Sequence, residues 1–294
     1  MIREFEPDDL AKVQDAVQLD IDMSEKTITR IIDKYNVMVY EANQEIAGCG
    51  AWTILNSTDE EKERIDIRIY THPDFRRKGI GTRLWNEVHK RVRQMKTNQL
   101  ETFYRADSGD AREFFNRRGF KRWFTLNDLT YQGPHFPALT EIDAHQYNSD
   151  YFMEYTSIIN RCFYQVRKEA DIEPYIIYSE DSLEDAAIKE NIRSNAENIF
   201  IFTYGQDVVG VGVVEDEKEG DANAVDVVAV KPEFRRRGFG RLITQYCINH
   251  LQKRGANPVY VAVLDNNKPA LNLYRQMGFQ PASVYEESRL MESF

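Results

Sequence analysis

Apolar and polar positions along the chain form short alternating runs and longer helical stripes, in an order that occurs twice. In the second half, "NIFIFTYGQDVVGVGVVE" (198–215) holds two apolar runs broken at Gly205–Asp207, which predicts two strands joined as a hairpin. "ANAVDVVAV" (222–230) predicts a further strand, stopped by Pro232, which has no N–H to give to a ladder. Beyond it Leu242, Ile243, Tyr246, Cys247, His250 and Leu251 recur at the i, i+3, i+4 spacing of one helix face. "PVYVAVL" (258–264) predicts a buried strand, and "KPALNLYRQMGF" (268–279) a short helix closed near Gly278. The first half repeats the plan in "VMVYEANQEIAGCGAW", "RIDIRIY", a helix from Gly79 to about Met95, "QLETFY" and "DAREFFNRRGF". Each half therefore predicts an α/β layer, a mixed, largely antiparallel twisted sheet flanked by helices.

The repetition keeps register. Arg76 and Arg235 lie 159 positions apart, as do Gly119 and Gly278. Upstream, "EIAGCGAW" and "DVVGVGVV" match at an offset of 162, so three residues were gained or lost in a connecting loop. A sustained period of this length is a tandem domain duplication, since solenoid repeats run to only about 20–50 residues. The expected division is 1–132, a linker at 133–140 where Gly133, Pro134 and Pro137 break regular structure, and 141–294.

Composition narrows the functional classes. A net charge of -10 argues against nucleic acid as the main partner, because phosphate backbones need a basic face. Residues 1–132 carry 22 Lys+Arg against 23 Asp+Glu, so most of the negative charge lies in the second half, which suits a cationic substrate or simple solubility. Cys49, Cys162 and Cys247 are far apart, and no Cys or His spacing suggests a metal site. No apolar run approaches the roughly 18 residues of a membrane span, and the acidic start lacks a signal-peptide plan, so the expectation is a cytoplasmic protein without membrane contact.

The chemistry concentrates in the turn that follows each third strand. "FRRRGFGRL" (234–242) leads from a strand end through Arg235, Arg236, Arg237, Gly238 and Gly240 into a helix, presenting unpaired amides at the positive end of the helix dipole. Glycines let a ligand approach the backbone and arginines add charge, which describes a pyrophosphate cradle. A solvated basic turn is the plainer alternative. A dinucleotide fingerprint fits poorly, since Ile243 and Leu84 stand where its third glycine belongs.

"VAVKPEFRRRGFG" coupled to "NKPALNLYRQMGF" resembles the GNAT superfamily of acyl-CoA-dependent N-acetyltransferases, over most of 140–294 and more loosely over 1–132. The tandem layout, active unit second, is similar to the mycothiol synthases. The resemblance implies acetyl-CoA as co-substrate, its pyrophosphate on Arg235, Arg236, Arg237, Gly238, Phe239, Gly240 and Arg241. It implies that Val228, Ala229 and Val230 pair through their backbones with the pantetheine arm, that the Val230 amide holds the oxyanion, and that Asn267 is a further contact. Tyr274 matches the general acid that protonates the leaving thiolate. Asp226, placed by strand alternation on one face with Val228 and Val230, is a candidate base, and Glu215 a second.

Subtracting 159 from these positions separates the two halves. Tyr274 falls on Phe115, Asp226 on Ile67 and Asn267 on Ser108, while Arg76, Arg77, Lys78, Gly79, Ile80 and Gly81 survive as a possible second cofactor site. Phe115 fills a tyrosine's space but has no proton to give. The first half is expected to be a degenerate domain and the second catalytic. The acceptor, a small-molecule or peptide amine, is expected at 163–192, where Ser182 and Asp185 suggest a helix-capping pair. Glu169, Asp171 and Glu173 there could hold an ammonium, and Tyr175 and Tyr178 could line a pocket. Cys247, on the helix stripe, is expected in the core. A silent acyl-CoA sensor, another acyl group and a hydroxyl acceptor stay open as alternatives, as does the oligomeric state.

Overall fold

A computed structural model describes residues 1–18, 25–55, 64–95, 97, 99–107, 110–216 and 223–291. In chain order the elements are β1 (Ile2–Glu4), α1 (Leu10–Gln18), α2 (Glu25–Lys34), β2 (Asn36–Ala42), β3 (Glu45–Leu55), β4 (Arg64–Thr71), α3 (Ile80–Val92), β5 (Gln99–Arg105), α4 (Ala111–Asn116) and β6 (Lys121–Tyr131). There follow β7 (Asp143–Gln146), α5 (Phe152–Glu169), α6 (Glu180–Glu184), α7 (Ala186–Ser194), β8 (Ile199–Tyr204), β9 (Asp207–Glu215), β10 (Ala224–Val230), α8 (Phe239–Lys253), β11 (Val259–Leu264), α9 (Lys268–Gln276) and β12 (Gln280–Met291). The hairpins, the third strands, the helices after each basic turn and the last helices all form where the periodicity places them.

The chain divides into two compact units, but not at the expected linker. One comprises Met1–Thr125 with Val284–Phe294, the other Leu126–Ser283. In the first, β1, β2, β3 and β4 are antiparallel neighbours, β4 and β5 run parallel, and β12 closes the sheet antiparallel to β5 from Tyr285↔Arg105 to Met291↔Gln99. The second repeats this, with β7 to β10 antiparallel, β10 and β11 parallel, and β6 antiparallel to β11 from Val259↔Tyr131 to Leu264↔Leu126. Each sheet is thus completed by the strand that follows the other repeat's last helix. The boundary moves because unpaired edges on β5 and β11 would otherwise be left open.

The core of the second unit sits between the sheet and α8, where Ile243, Cys247, Ile248 and Leu251 are fully buried against Phe202, Val209 and Val261. Truncating one such isoleucine or leucine to alanine costs about 2–5 kcal/mol. Close approach of α8 explains Gly212, where a Cβ would stand 2.7 Å from Cys247 Sγ. A second layer, Tyr155, Ile158 and Ile159 of α5, covers the opposite face. In the first unit Leu84 and Val88 of α3 take the role of the α8 residues, and Val13, Val17 and Ile28 of α1 and α2 cover the other face.

Candidate active site

In each unit the two parallel strands pair only briefly and then separate. β10 and β11 pair at Ala224↔Tyr260, and Tyr260 N–H donates to Asn223 O at 2.9 Å; beyond this the fork opens. Lys231 N–H donates to Val209 O at 2.9 Å, so by antiparallel alternation Val228 and Val230 aim their backbone groups at the open side of β10. Ala229 lies between them with its backbone turned to β9, which corrects the expectation that all three residues offer theirs to a ligand.

At the mouth of the fork stands the basic turn. Arg236 and Gly238 take positive φ (63° and 89°), and Gly238 caps the N-terminus of α8. A Cβ at Gly238 would meet nothing within 4 Å, so the glycine serves backbone conformation and leaves the space in front of it clear. Among the described residues the amides of Arg236 through Gly240 have no backbone partner. The arginines divide by duty. Arg235 Nε donates to Val230 O at 3.1 Å, and Arg237 stacks over Tyr204, Phe234 and Phe239 at 5.1–5.4 Å, both holding the turn in shape. Arg236 and Arg241 make no hydrogen bond or ion pair among the described residues, leaving their charge for a ligand. Exposed amides, a clear approach and two uncommitted guanidinium groups fit a pyrophosphate.

β10 carries a bulge. Its register against β9 shifts between Val225 and Val227, and Asp226 is the additional residue. The expected sharing of a face by Asp226, Val228 and Val230 is therefore corrected, for it is Val225 that packs with Val228 and Val230. The same bulge corrects the pairing of Asp226 with Ile67. Ile67 lies opposite Trp52 as Val225 lies opposite Val214, so the first unit has no counterpart of Asp226.

Released from the ladder, Asp226 lines a cavity of about 310 Å³ with Glu215 and Asn195, which brings both candidate bases to one place. Surrounding protein raises the Asp226 pKa above the ordinary carboxylate range, although the residue keeps an open face to solvent. Its charge is felt by Tyr155, Tyr178 and Tyr274, all of whose pKa values are raised chiefly by burial. Tyr274, 7% exposed, packs on Phe279 at 5.3 Å between centroids, and its hydroxyl has no hydrogen-bond partner among the described residues. Burial keeps this phenol protonated at neutral pH. Cys247 is sealed in the core with its thiol pushed up to about 12, so it is no nucleophile.

A family model described as Acetyltransferase (GNAT) family matches residues 154–279, and a second, Acetyltransferase (GNAT) domain, matches 33–122. The chain belongs to the GNAT acetyltransferase family, in two tandem domains. It is 38% identical over 71 residues to mycothiol acetyltransferase of Thermobifida fusca, a stretch covering 24% of this chain and 21% of that one. It is 37% identical over 57 residues to the ribosomal protein bS18-alanine N-acetyltransferase of Salmonella typhimurium, covering 19% and 38%. The chain thus matches well under half the length of these curated relatives. A crystal structure of a GCN5-related N-acetyltransferase from Sphaerobacter thermophilus shares the fold across 99% of this chain and 95% of that one, with TM-score 0.74 at 18% identity.

The remaining expected residues of this GNAT-family chain divide. Asn267 accepts from Ala270 N–H at 3.3 Å as the N-cap of α9, while its Nδ2 has no hydrogen-bond partner among the described residues. Ser179, not Ser182, caps α6, and Asp185 caps α7. Of the expected acceptor set Tyr178 feels the charge of Asp226; Asp171 accepts from Tyr175 Oη at 2.8 Å, and Glu169 from Gln165 at 2.6 Å. Ser108 lies outside the described residues. Sequence reasoning missed Tyr155, whose stripe with Ile158, Ile159 and Cys162 along α5 was the available signal. It also missed how α5 is fixed at the fork: Arg161 pairs with Glu233 at 2.9 Å, Glu154 with Lys231, and Cys162 Sγ–H reaches Val230 O at 3.2 Å. Among the described residues no group of three His, Cys, Asp or Glu is placed to hold a metal, and no helix is long and apolar enough to cross a membrane.

Proposed function

We propose that the second unit transfers the acetyl group of acetyl-CoA to a primary amine by direct attack. Acetyl-CoA supplies the activated thioester. The amides of Arg236–Gly240 and the guanidinium groups of Arg236 and Arg241 hold its phosphates, and Val228 and Val230 take its pantetheine arm as an added strand. The Val230 amide polarises the thioester carbonyl. Asp226, with Glu215 beside it, takes the proton of the incoming ammonium, and Tyr274 gives its phenolic proton to the departing sulfur. The acceptor is a small-molecule or peptide amine, and the cytoplasm is the proposed place of action.

The observation that carries this reading is the bulge at Asp226, which lifts a carboxylate out of the ladder beside the fork and within electrostatic reach of Tyr274. The N-acetyltransferase names of the relatives support an amine acceptor. The test is thiol release from acetyl-CoA across a panel of amines. Wild type turns over with at least one amine, while Tyr274→Phe retains acetyl-CoA affinity and loses at least tenfold in kcat. Turnover undiminished in Tyr274→Phe would remove tyrosine from the acid role.

A further inference from the structure

In both units the parallel strands separate at the same place. The last paired residues are Asp66 and Glu101 in the first unit and Ala224 and Tyr260 in the second. These pairs are equivalent, because Thr53, opposite Asp66 on β3, corresponds at the offset of 162 to Glu215, opposite Ala224 on β9. Two residues beyond them stand Phe103 on β5 and Ala262 on β11, which the offset of 159 relates. In the same way Arg68 lies opposite Ala51 as Val227 lies opposite Val213.

What fills the place differs. In the first unit Arg68 reaches across the gap: its Nε and Nη2 donate to Asp66 Oδ2 at 3.0 and 2.6 Å, and its Nη1 donates to Phe103 O at 2.6 Å. The guanidinium lies over the Phe103 ring at 5.2 Å, and that ring stacks on Tyr285 at 5.0 Å. A cation belonging to the chain is thus held between a carboxylate of β4 and a carbonyl of β5. In the second unit Val227 brings no cation, and Ala262 in place of Phe103 leaves the floor open. Ala262 is exposed although its strand has a neighbour on either side. Tyr260 N–H donates to Asn223 O, so alternation turns the Ala262 carbonyl to the same gap. The bulge sets Asp226, also exposed, directly before Val227.

We propose that the second unit receives the acceptor's nitrogen where the first unit holds its own Arg68, with Asp226 and the Ala262 carbonyl as the two hydrogen-bond acceptors. This rests on amine acetylation by the second unit and names what recognises the amine. The arriving ammonium gives one proton to Asp226 and keeps an N–H on the Ala262 carbonyl, which aims the freed lone pair at the thioester carbon. The C–N bond forms and the C–S bond breaks. Nitrogen loses a second proton as the amide forms, which replaces the one Tyr274 gives to sulfur. An alcohol spends its single proton on Asp226 and has none for the carbonyl, so the place selects nitrogen over oxygen.

The probe is n-propylguanidine, an arginine side chain in isolation, which fits the place but keeps its charge and is not acetylated. It is titrated calorimetrically into the full-length chain with CoA present. Asp226→Asn weakens its binding about tenfold. Val227→Arg, which restores the first unit's own cation, abolishes it and leaves acetyl-CoA affinity within about twofold. Val227→Met, uncharged and similarly long, keeps most of the binding, and equal loss in the two variants overturns the proposal by assigning the effect to bulk. Independently of how these variants fold, wild type is assayed with 2-phenylethylamine, putrescine, glucosamine and alaninamide. Propylguanidine competes with whichever amine is acetylated and does not compete with acetyl-CoA. Acetylation that it fails to inhibit competitively overturns the proposal and leaves amine transfer standing. A wild-type chain that acetylates none of the four overturns amine transfer and this assignment together.

Discussion

At the scale of single residues, the first unit carries a titratable group with a measurable signature. Glu287 on β12 is pushed up to about 8, chiefly by burial and further by Asp66 and Glu101, with Arg68 and Arg64 opposing. The ordinary glutamate value is 4.5, so between about 4.5 and 8 the folded chain holds a proton that the unfolded chain has released. Stability is therefore greatest below that window and falls as pH rises through it. Glu287→Gln abolishes the dependence, raising Tm at pH 8 by at least about 2–4 °C and leaving it unchanged near pH 4. Calorimetric scans of both proteins across that range decide the matter, since parallel curves would mean that Glu287 titrates normally. The placement of Tyr274 on the last helix was legible at this scale because a fixed motif carries it. The position of Asp226 was not, because a bulge inserts one residue and reverses the alternation used to place it.

At the scale of elements, the strand–turn–helix unit was the most legible part of the chain, since proline, arginines and glycines specify it within a dozen residues. Its conformation makes a sharp prediction at Gly238. Aspartate there puts a carboxylate where the phosphates would lie and costs about 1–2 kcal/mol for left-handed backbone, with no neighbour for its Cβ to strike. Gly238→Asp is expected to keep its far-ultraviolet circular dichroism and lose at least tenfold in acetyl-CoA affinity at the second unit, while Gly238→Ala loses much less. Equal losses would assign the effect to backbone strain rather than charge. The proposed acceptor side was less legible because the residues assigned to it come from separated elements. Tyr155 on α5, Tyr178 ahead of α6 and Asp226 on β10 meet only in three dimensions.

At the scale of the whole molecule, the duplication was readable as a constant offset, but the allocation of the last strands was not. A strand's sequence records which faces are buried and says little about which edge it joins. β12 supplies the first unit with seven paired positions along β5 and with Glu286, buried to 2%, which accepts from Arg112 at 2.7 and 2.8 Å and from Tyr104 at 3.0 Å. Removing residues 284–294 therefore uncovers the edge of β5 and leaves Arg112 and Tyr104 without that carboxylate, all in the first unit. The expected result is asymmetric damage. In the truncated chain Cys49, half-buried in the first unit, reacts several-fold faster with maleimide than in the intact chain, while Cys247, fully buried in the second unit, stays protected. Peptide mass spectrometry of the labelled protein distinguishes this from the outcome expected of two sequence-contiguous domains, in which losing the C-terminal strand would expose Cys247 and spare Cys49.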